Sequence, residues 1–178
     1  VPKVDFVRDV NPVMTKVGCN AGTCHGAKEG KFGFKLSLRG YDPLFDVRAL
    51  KDDLAGRRLN AAQPDDSLML LKATAGVPHE GGQRFQIGDK YYNILRTWIA
   101  DGAKLDVNPP RVAKIEVFPR NPAVQDLRAK HQIRCVATHA GGAERIVTAA
   151  AFISRGDTEV SAGVAAAESR VTPLRRGE

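Results

Sequence analysis

A cysteine pair followed directly by a histidine constrains this chain of 178 residues more than any other feature. Residues 19–25 read Cys-Asn-Ala-Gly-Thr-Cys-His, a CxxxxCH pattern. Two cysteines with a histidine after the second are typical of a covalent haem site, in which the thiols form thioethers and the histidine binds iron. The usual spacing leaves two residues between the cysteines, whereas four stand here. Gly22 gives this longer loop backbone freedom that other residues lack.

The same residues allow two other interpretations. Cys19 and Cys24 can form a local disulfide, or they can join His25 and a second histidine in a Cys2His2 zinc site. The haem interpretation is favoured because the chain has only three cysteines and the histidine directly follows the pair.

The composition limits the classes of protein that remain. Hydrophobic residues make up 43% of the chain, which suits one large or two small globular domains. Aromatic residues make up only 6%, so we expect an aliphatic core to which a bound macrocycle adds substantially. The chain contains no run of 18 apolar residues, so the sequence predicts no membrane span. The chain opens at Val1-Pro2 without a targeting leader, which we expect to have been cleaved or left out.

The net charge of +7 is spread along the chain without blocks of like charge or interleaved aromatic residues. This pattern does not favour nucleic-acid binding, and it is more typical of a solvated surface. A mild positive field can still steer acidic partners towards the protein.

Two consecutive prolines at 109 and 110 mark the clearest boundary. Residues 107–110 are predicted to form a semi-rigid linker because proline restricts the backbone. Apolar residues before the linker recur at helical spacing, and those after it alternate as in strands. We therefore expect a helical domain over residues 1–106 and a β domain over residues 111–178.

Within these domains the patterns predict individual elements. Asn11 and Pro12 are expected to start a new helical turn inside a first helix, and Asp89 is expected to cap the last helix. Residues 32–40 alternate as in an extended segment, and residues 140–143 are typical of a hairpin turn. Helices are predicted from residue 42, over 66–74 and over 89–103, and strands over 112–118, 132–138, 145–148 and 159–161.

Three stretches of the first domain resemble the planctomycete-type cytochrome c family: residues 4–10 (VDFVRDV), 24–26 (CHG) and 95–103 (LRTWIADGA). Residues 111–178 are similar to a bacterial immunoglobulin-like group 2 domain, with IEVFP at 115–119 and VT at 171–172. The resemblance implies a mainly α cytochrome c-like domain followed by an all-β immunoglobulin-like sandwich, incomplete at its C-terminus.

The resemblance also implies a function. It implies one covalently attached haem c bound through Cys19 and Cys24, with His25 as the proximal iron ligand. It implies electron transfer rather than enzyme catalysis, in the periplasm or another extracytoplasmic compartment. The expected partners are a redox protein or further domains of a longer chain, and the immunoglobulin-like module is expected to bind protein or carbohydrate.

The sixth iron ligand departs from the family pattern. Many relatives have Met-Pro-Pro in the loop before the last helix, where this chain has VPHEGG at residues 77–82. The position indicates His79 as the distal ligand. Met69 is the rival, although its leucine neighbours favour core packing. Four arginines are candidates for pairing with haem propionates, and nothing in the sequence selects among them: Arg39, Arg57, Arg58 and Arg84.

Two other functional classes remain open. If His79 is displaceable, the protein is a haem-based sensor or a haem enzyme that binds a small ligand. If the cysteines bind zinc, it is a non-redox surface or adhesion protein. Two strong axial ligands leave no open position on the iron, which favours electron transfer.

Overall fold

The computed structural model describes residues 3–108, 111–120, 131–147, 162–165 and 170–173, the last two ranges and residues 131–132 by their backbone alone. The chain divides into two compact units, Val1–Pro109 and Pro110–Glu178. Four α-helices lie in the described part of the first unit, and antiparallel strands lie in the second, so the chain combines α and β structure. Pro109 and Pro110 of the predicted linker, the predicted strand at 159–161 and residues 174–178 lie outside the described residues.

The first unit begins with one turn of π-helix, Phe6–Val10, that continues into helix α1, Asn11–Lys16. The Asp5 carboxylate accepts the backbone N–H of Arg8 at 2.8 Å and caps this start. The helical prediction is confirmed here, but Asn11 does not cap the new turn. Its amide donates instead to the carbonyl of Gly40 at 2.8 Å.

Three further helices complete the described part of this unit: α2 (Pro43–Lys51), α3 (Leu68–Ala73) and α4 (Lys90–Ala100). Asp42 caps α2 by accepting the backbone N–H of Phe45 at 3.0 Å. Helix α3 is shorter than predicted because Pro64–Asp66 form a separate 3-10 turn. Asp89 is the N-cap residue of α4 as predicted, but its carboxylate makes no capping hydrogen bond to the helix and accepts the N–H of Gln86 at 2.8 Å instead.

These helices enclose one apolar core. Trp98 of α4 is 1% exposed and its ring lies 5.1 Å from the ring of Phe6, centroid to centroid. Met14 is fully buried among them. Burial of each such side chain contributes about 1.5–3 kcal/mol. The core therefore fixes the end of α1, from which the CxxxxCH segment leaves.

The extended segment predicted over residues 32–40 is wrong. The chain instead makes a tight turn, in which Lys31 and Phe34 pair and Phe32 and Gly33 adopt φ angles of 49° and 73°. A 3-10 turn follows at Leu38–Gly40. The alternating pattern is real, but Phe32 is 92% exposed, so the alternation does not reflect a strand with one buried face.

The described strands of the second unit are β1 (Val112–Phe118), β2 (His131–Gln132), β3 (Arg134–His139), β4 (Glu144–Ile146), β5 (Ala162–Ala165) and β6 (Arg170–Pro173). They form two three-stranded antiparallel sheets, ordered β1-β3-β4 and β2-β6-β5. The strand predicted at 112–118 is confirmed, whereas that at 132–138 is divided between the two sheets at Ile133. The turn at 140–143 joins β3 to β4 as predicted, with the N–H of His139 donating to the carbonyl of Ala143 at 2.8 Å.

Cys135 on β3 is 3% exposed, and burial raises the pKa of its thiol. This agrees with the prediction that it packs as a small hydrophobic residue. Across the described ranges, no helix is both long enough and apolar enough to span a bilayer.

Candidate functional site

The CxxxxCH segment forms a compact set of turns directly after α1. The N–H of Cys19 donates to Met14 at 2.8 Å, and the N–H of His25 returns to the carbonyl of Cys19 at 3.1 Å. A Cβ at Gly26 would lie 2.1 Å from the carbonyl oxygen of Asn20, so only glycine permits this close approach. The four residues between the cysteines are therefore accommodated in a closed turn.

Asn20 anchors this longer loop in the interior. It is fully buried, and its side-chain amide donates to the hydroxyl of Thr15 at 2.9 Å and to Asn11 at 3.4 Å. The amide nitrogen of Asn20 thus has two partners, whereas its Oδ1 has none among the described residues, which offsets part of the stabilisation. The loop is thus tied to α1 by side-chain hydrogen bonds as well as by its own turns.

Both cysteines of the motif are free thiols, so the alternative of a local disulfide is not formed. Cys19 packs against the core, and burial raises the pKa of its thiol to about 11. A guanidinium nitrogen of Arg84 lies 3.8 Å from the sulfur of Cys24. The two sulfurs therefore lie beside a positive charge at the border between core and solvent.

His25 is held in one orientation and one tautomer. Its Nδ1 lies 3.1 Å from the carbonyl oxygen of Phe34, which can only accept, so Nδ1 carries the proton. The Phe34 ring packs against the imidazole at 4.5 Å between centroids. Burial lowers the pKa of His25, which favours the neutral ring. Its Nε2 therefore keeps a lone pair that can bind a metal.

His79 is held in the same way. Its Nδ1 lies 2.9 Å from the carbonyl oxygen of Gly82, which again leaves Nε2 with the lone pair of the neutral ring. A Cβ at Gly81 would lie 2.8 Å from Cε1 of His79, so glycine makes room for the imidazole. Next to it, Glu80 pairs with Lys31 at 2.6 Å, which ties this loop to the segment after His25.

The two imidazoles face each other across a short distance. The rings of His25 and His79 are within 10° of parallel, and their centroids are 6.5 Å apart. Two imidazoles that bind one metal from opposite sides, with bonds of about 2 Å, have centroids about 6 Å apart. The separation of the two rings is therefore close to that of two imidazoles on one metal ion.

A zinc site is less well supported by the arrangement. Among the residues that the structure describes, no three His, Cys, Asp or Glu side chains form a group suited to a metal ion. Haem needs only two protein ligands, since the porphyrin supplies the other four nitrogens. Met69 lies on α3 and packs against the core, with its N–H donating to the carbonyl of Arg58 at 3.1 Å.

Several neighbours of the site were not singled out by the sequence. Phe34 supplies both a ring and a carbonyl to His25, and only the turn at Lys31–Phe34 brings it there. The sequence offered four arginines as candidates for pairing with haem propionates, and of these Arg84 contacts the sulfur of Cys24 in the structure. The Gly81-Gly82 pair was the one local signal that a side chain is presented closely in this loop.

No family model, no curated protein and no solved structure matches this chain at a significant level. Any functional assignment therefore depends on the two histidines, the two cysteines and their surroundings.

Proposed function

We propose that the first unit is a mono-haem c-type cytochrome domain that transfers electrons, with His25 and His79 as the two axial ligands. The observation that carries this proposal is the nearly parallel pair of imidazoles, 6.5 Å apart between centroids. Each ring donates its Nδ1 proton to a backbone carbonyl, an arrangement that orients a histidine for metal binding.

Each residue has a stated role in this proposal. Cys19 and Cys24 would hold the porphyrin through thioethers, and His25 and His79 would bind the iron. A bound haem supplies a metal that takes up and releases one electron between its ferric and ferrous states. Cys19 packs against the core that contains Trp98 and Met14, so this attachment point would be shielded from water.

The two histidines favour electron transfer over chemistry on a bound substrate. With haem bound, His25 and His79 would both be ligands of the iron, and no coordination position would remain open for oxygen or peroxide. Methionine as a sixth ligand raises the reduction potential, and the use of His79 instead keeps the potential lower.

The proposal includes a finer description of the fold. The first unit is assigned to the cytochrome c-like class, and the second, with its two small antiparallel sheets, to the immunoglobulin-like sandwiches. Covalent haem implies a periplasmic or other extracytoplasmic location and a redox partner protein. The second unit then serves as a module that binds protein or carbohydrate.

Acid–acetone extraction of protein produced with a haem maturation system tests the proposal. Covalent haem stays with the polypeptide and keeps its Soret band, so we expect the wild type to remain coloured. A variant with Cys19→Ser and Cys24→Ser should lose the haem on extraction. Cys135→Ser is the matched control, since this thiol lies in the second unit, and it should keep the haem.

Three results would contradict the proposal in different ways. Normal haem content in the double variant after extraction would exclude covalent attachment through these cysteines. A high-spin wild-type spectrum, with rapid carbon monoxide binding to the reduced protein, would indicate a sensor or a ligand-binding haem protein. A colourless preparation with stoichiometric zinc would support the zinc alternative.

A further inference from the structure

Arg58 carries a buried charge that the rest of the protein balances only in part. The residue is 6% exposed, and burial lowers the pKa of its guanidinium, which still remains protonated. The group has five N–H donors. Among the described residues it donates one hydrogen bond, from Nη1 to the carbonyl of Ala49 at 2.8 Å. The carboxylate of Asp53 is 3.9 Å away and more than half exposed.

This charge lies one ring away from a proposed iron ligand. The central carbon of the Arg58 guanidinium is 4.3 Å from the centroid of the Phe34 ring. The Phe34 ring is in turn 4.5 Å from the imidazole of His25, and its carbonyl accepts the Nδ1 proton of that imidazole. Guanidinium, phenyl ring and imidazole are thus in direct succession, with the phenyl ring tilted by 46° to the imidazole.

A structural role alone does not explain why this side chain is charged. An apolar residue of similar length would fill the space above Phe34 and leave only the carbonyl of Ala49 without its donor. Burying a cation costs free energy unless close partners compensate for it, and the partner at Asp53 is distant and solvated. Because the Arg58 side chain is largely buried, solvent screens its charge less than that of an exposed arginine, and the charge acts more strongly on nearby groups of the protein.

We propose that Arg58 sets the reduction potential of the haem iron, raising it through its buried positive charge beside Phe34 and His25. The proposal rests on the proposed function. Ferric haem carries one more positive charge than ferrous haem, so a fixed cation nearby destabilises the ferric form more. Arg58 therefore favours the reduced state and offsets part of the lowering caused by two imidazole ligands.

Neutral and charged replacements of Arg58 separate charge from packing. Arg58→Met keeps the length and removes the charge, and Arg58→Gln also keeps a donor for Ala49. Arg58→Lys keeps the charge. Arg57→Met is the matched control, because it removes a positive charge from the adjacent exposed position. Circular dichroism of each haem-free and haem-loaded protein verifies that the fold is retained.

The measurement is the reduction potential of the haem-loaded full chain, from spectroelectrochemical titration at low salt and at about 0.5 M salt. Both neutral variants should shift the ferric–ferrous equilibrium towards ferric by about tenfold, a fall of about 59 mV for one electron. Arg58→Lys should stay within about threefold of the wild type. The shift at Arg58 should persist at high salt, whereas any shift at Arg57 should disappear as solvent ions screen it.

Each outcome decides a separate question. Equal potentials in the wild type and in whichever neutral variant folds would overturn the role of Arg58 and leave the cytochrome proposal intact. An equal shift in Arg57→Met would assign the effect to net surface charge and also overturn it. A wild type that takes up no haem would overturn both proposals.

Discussion

His25 and His79 use the same local device at very different points in the sequence. The Nδ1 atom of His25 donates to the carbonyl of Phe34 at 3.1 Å, and that of His79 donates to the carbonyl of Gly82 at 2.9 Å. In each neutral ring the lone pair is therefore on Nε2, the atom that binds metals when Nδ1 is engaged in this way. In both cases the acceptor is a backbone carbonyl in a turn and not another side chain.

Replacement of His79, the proposed distal ligand, tests directly whether it binds the iron together with His25. His79→Ala should give a high-spin ferric centre that binds carbon monoxide readily when reduced, because one axial position opens. His79→Met should restore the low-spin state and raise the potential, since thioether ligation favours ferrous iron. Visible spectroscopy and a redox titration measure both. His139→Ala, in the second unit, serves as a control and should leave the spectrum unchanged.

An unaltered low-spin spectrum in His79→Ala would show that another side chain is the sixth ligand. Met69 is then the next residue to replace.

At the level of elements, a buried carboxylate connects α2 to the 3-10 turn at Leu38–Gly40. Asp46 is fully buried and accepts the N–H and the hydroxyl of Ser37 at 2.6 and 2.7 Å. Burial raises the pKa of Asp46, while the two donors of Ser37 act in the opposite direction. The connection holds the chain after Phe34, and so it supports the turn that brings Phe34 to His25.

The raised pKa of Asp46 predicts a pH dependence of stability. The folded state binds the proton of Asp46 more readily than the unfolded state, so this contribution to the free energy of unfolding falls as pH rises through the folded pKa. The wild type should therefore gain stability relative to Asp46→Asn on going from about pH 7 to about pH 4. Urea unfolding followed by circular dichroism at both pH values measures the difference.

Ser37→Ala provides a second variant for the same test. Loss of the hydroxyl donor should raise the pKa of Asp46 further and steepen the dependence, at a cost of about 1–3 kcal/mol at neutral pH. A difference between wild type and Asp46→Asn that is the same at both pH values would refute the assigned shift.

Sequence periodicity predicted the helices well and their capping side chains poorly. The spacing of Phe6, Met14, Leu95 and Trp98 matched their burial, because apolar faces of helices must meet in a core. The Asn11 side chain does not cap its helix because its amide bonds to the carbonyl of Gly40, a tertiary contact about which a local pattern carries no information. Asp89 is the N-cap residue of α4 as predicted, but its carboxylate bonds to the N–H of Gln86, three residues before it, instead of to the helix.

The candidate site was predictable in its residues and not in its geometry. Residues 19–25 and the histidine in the loop before α4 were evident from the chain and its family resemblance. The 10° angle between the imidazoles of His25 and His79 and the succession of Arg58, Phe34 and His25 could not be predicted. Both depend on a tight turn at Phe32-Gly33, where the alternating pattern predicted an extended segment.

For the whole molecule, the division into two compact units at residues 109 and 110 separates the candidate site from the β structure. Every described residue that contributes to the site, from Cys19 to Arg84, belongs to the first unit. The first unit also has its own apolar core. A unit with its own core and its own site is expected to fold and function by itself.

Truncation after Asp106 should therefore preserve haem binding, the low-spin spectrum and the potential. Visible spectroscopy of the truncated protein, produced with the same maturation system, measures this. Truncation after Ile94 is the contrasting control, since it removes Leu95, Trp98 and Ile99 from the core and should abolish folding. Loss of the low-spin spectrum in the longer truncation would mean that the second unit contributes to the iron site.

The two backbone hydrogen bonds to the histidines have a kinetic consequence. The rate of electron transfer depends on how far ligands and surroundings must move when the charge on the metal changes. Imidazoles anchored to the carbonyls of Phe34 and Gly82 and flanked by glycine and a phenyl ring have little freedom to move. In the proposed cytochrome, imidazoles held in this way would move little when the iron changes its charge. We therefore expect a small inner-sphere reorganisation energy and rapid electron self-exchange between two copies of the protein.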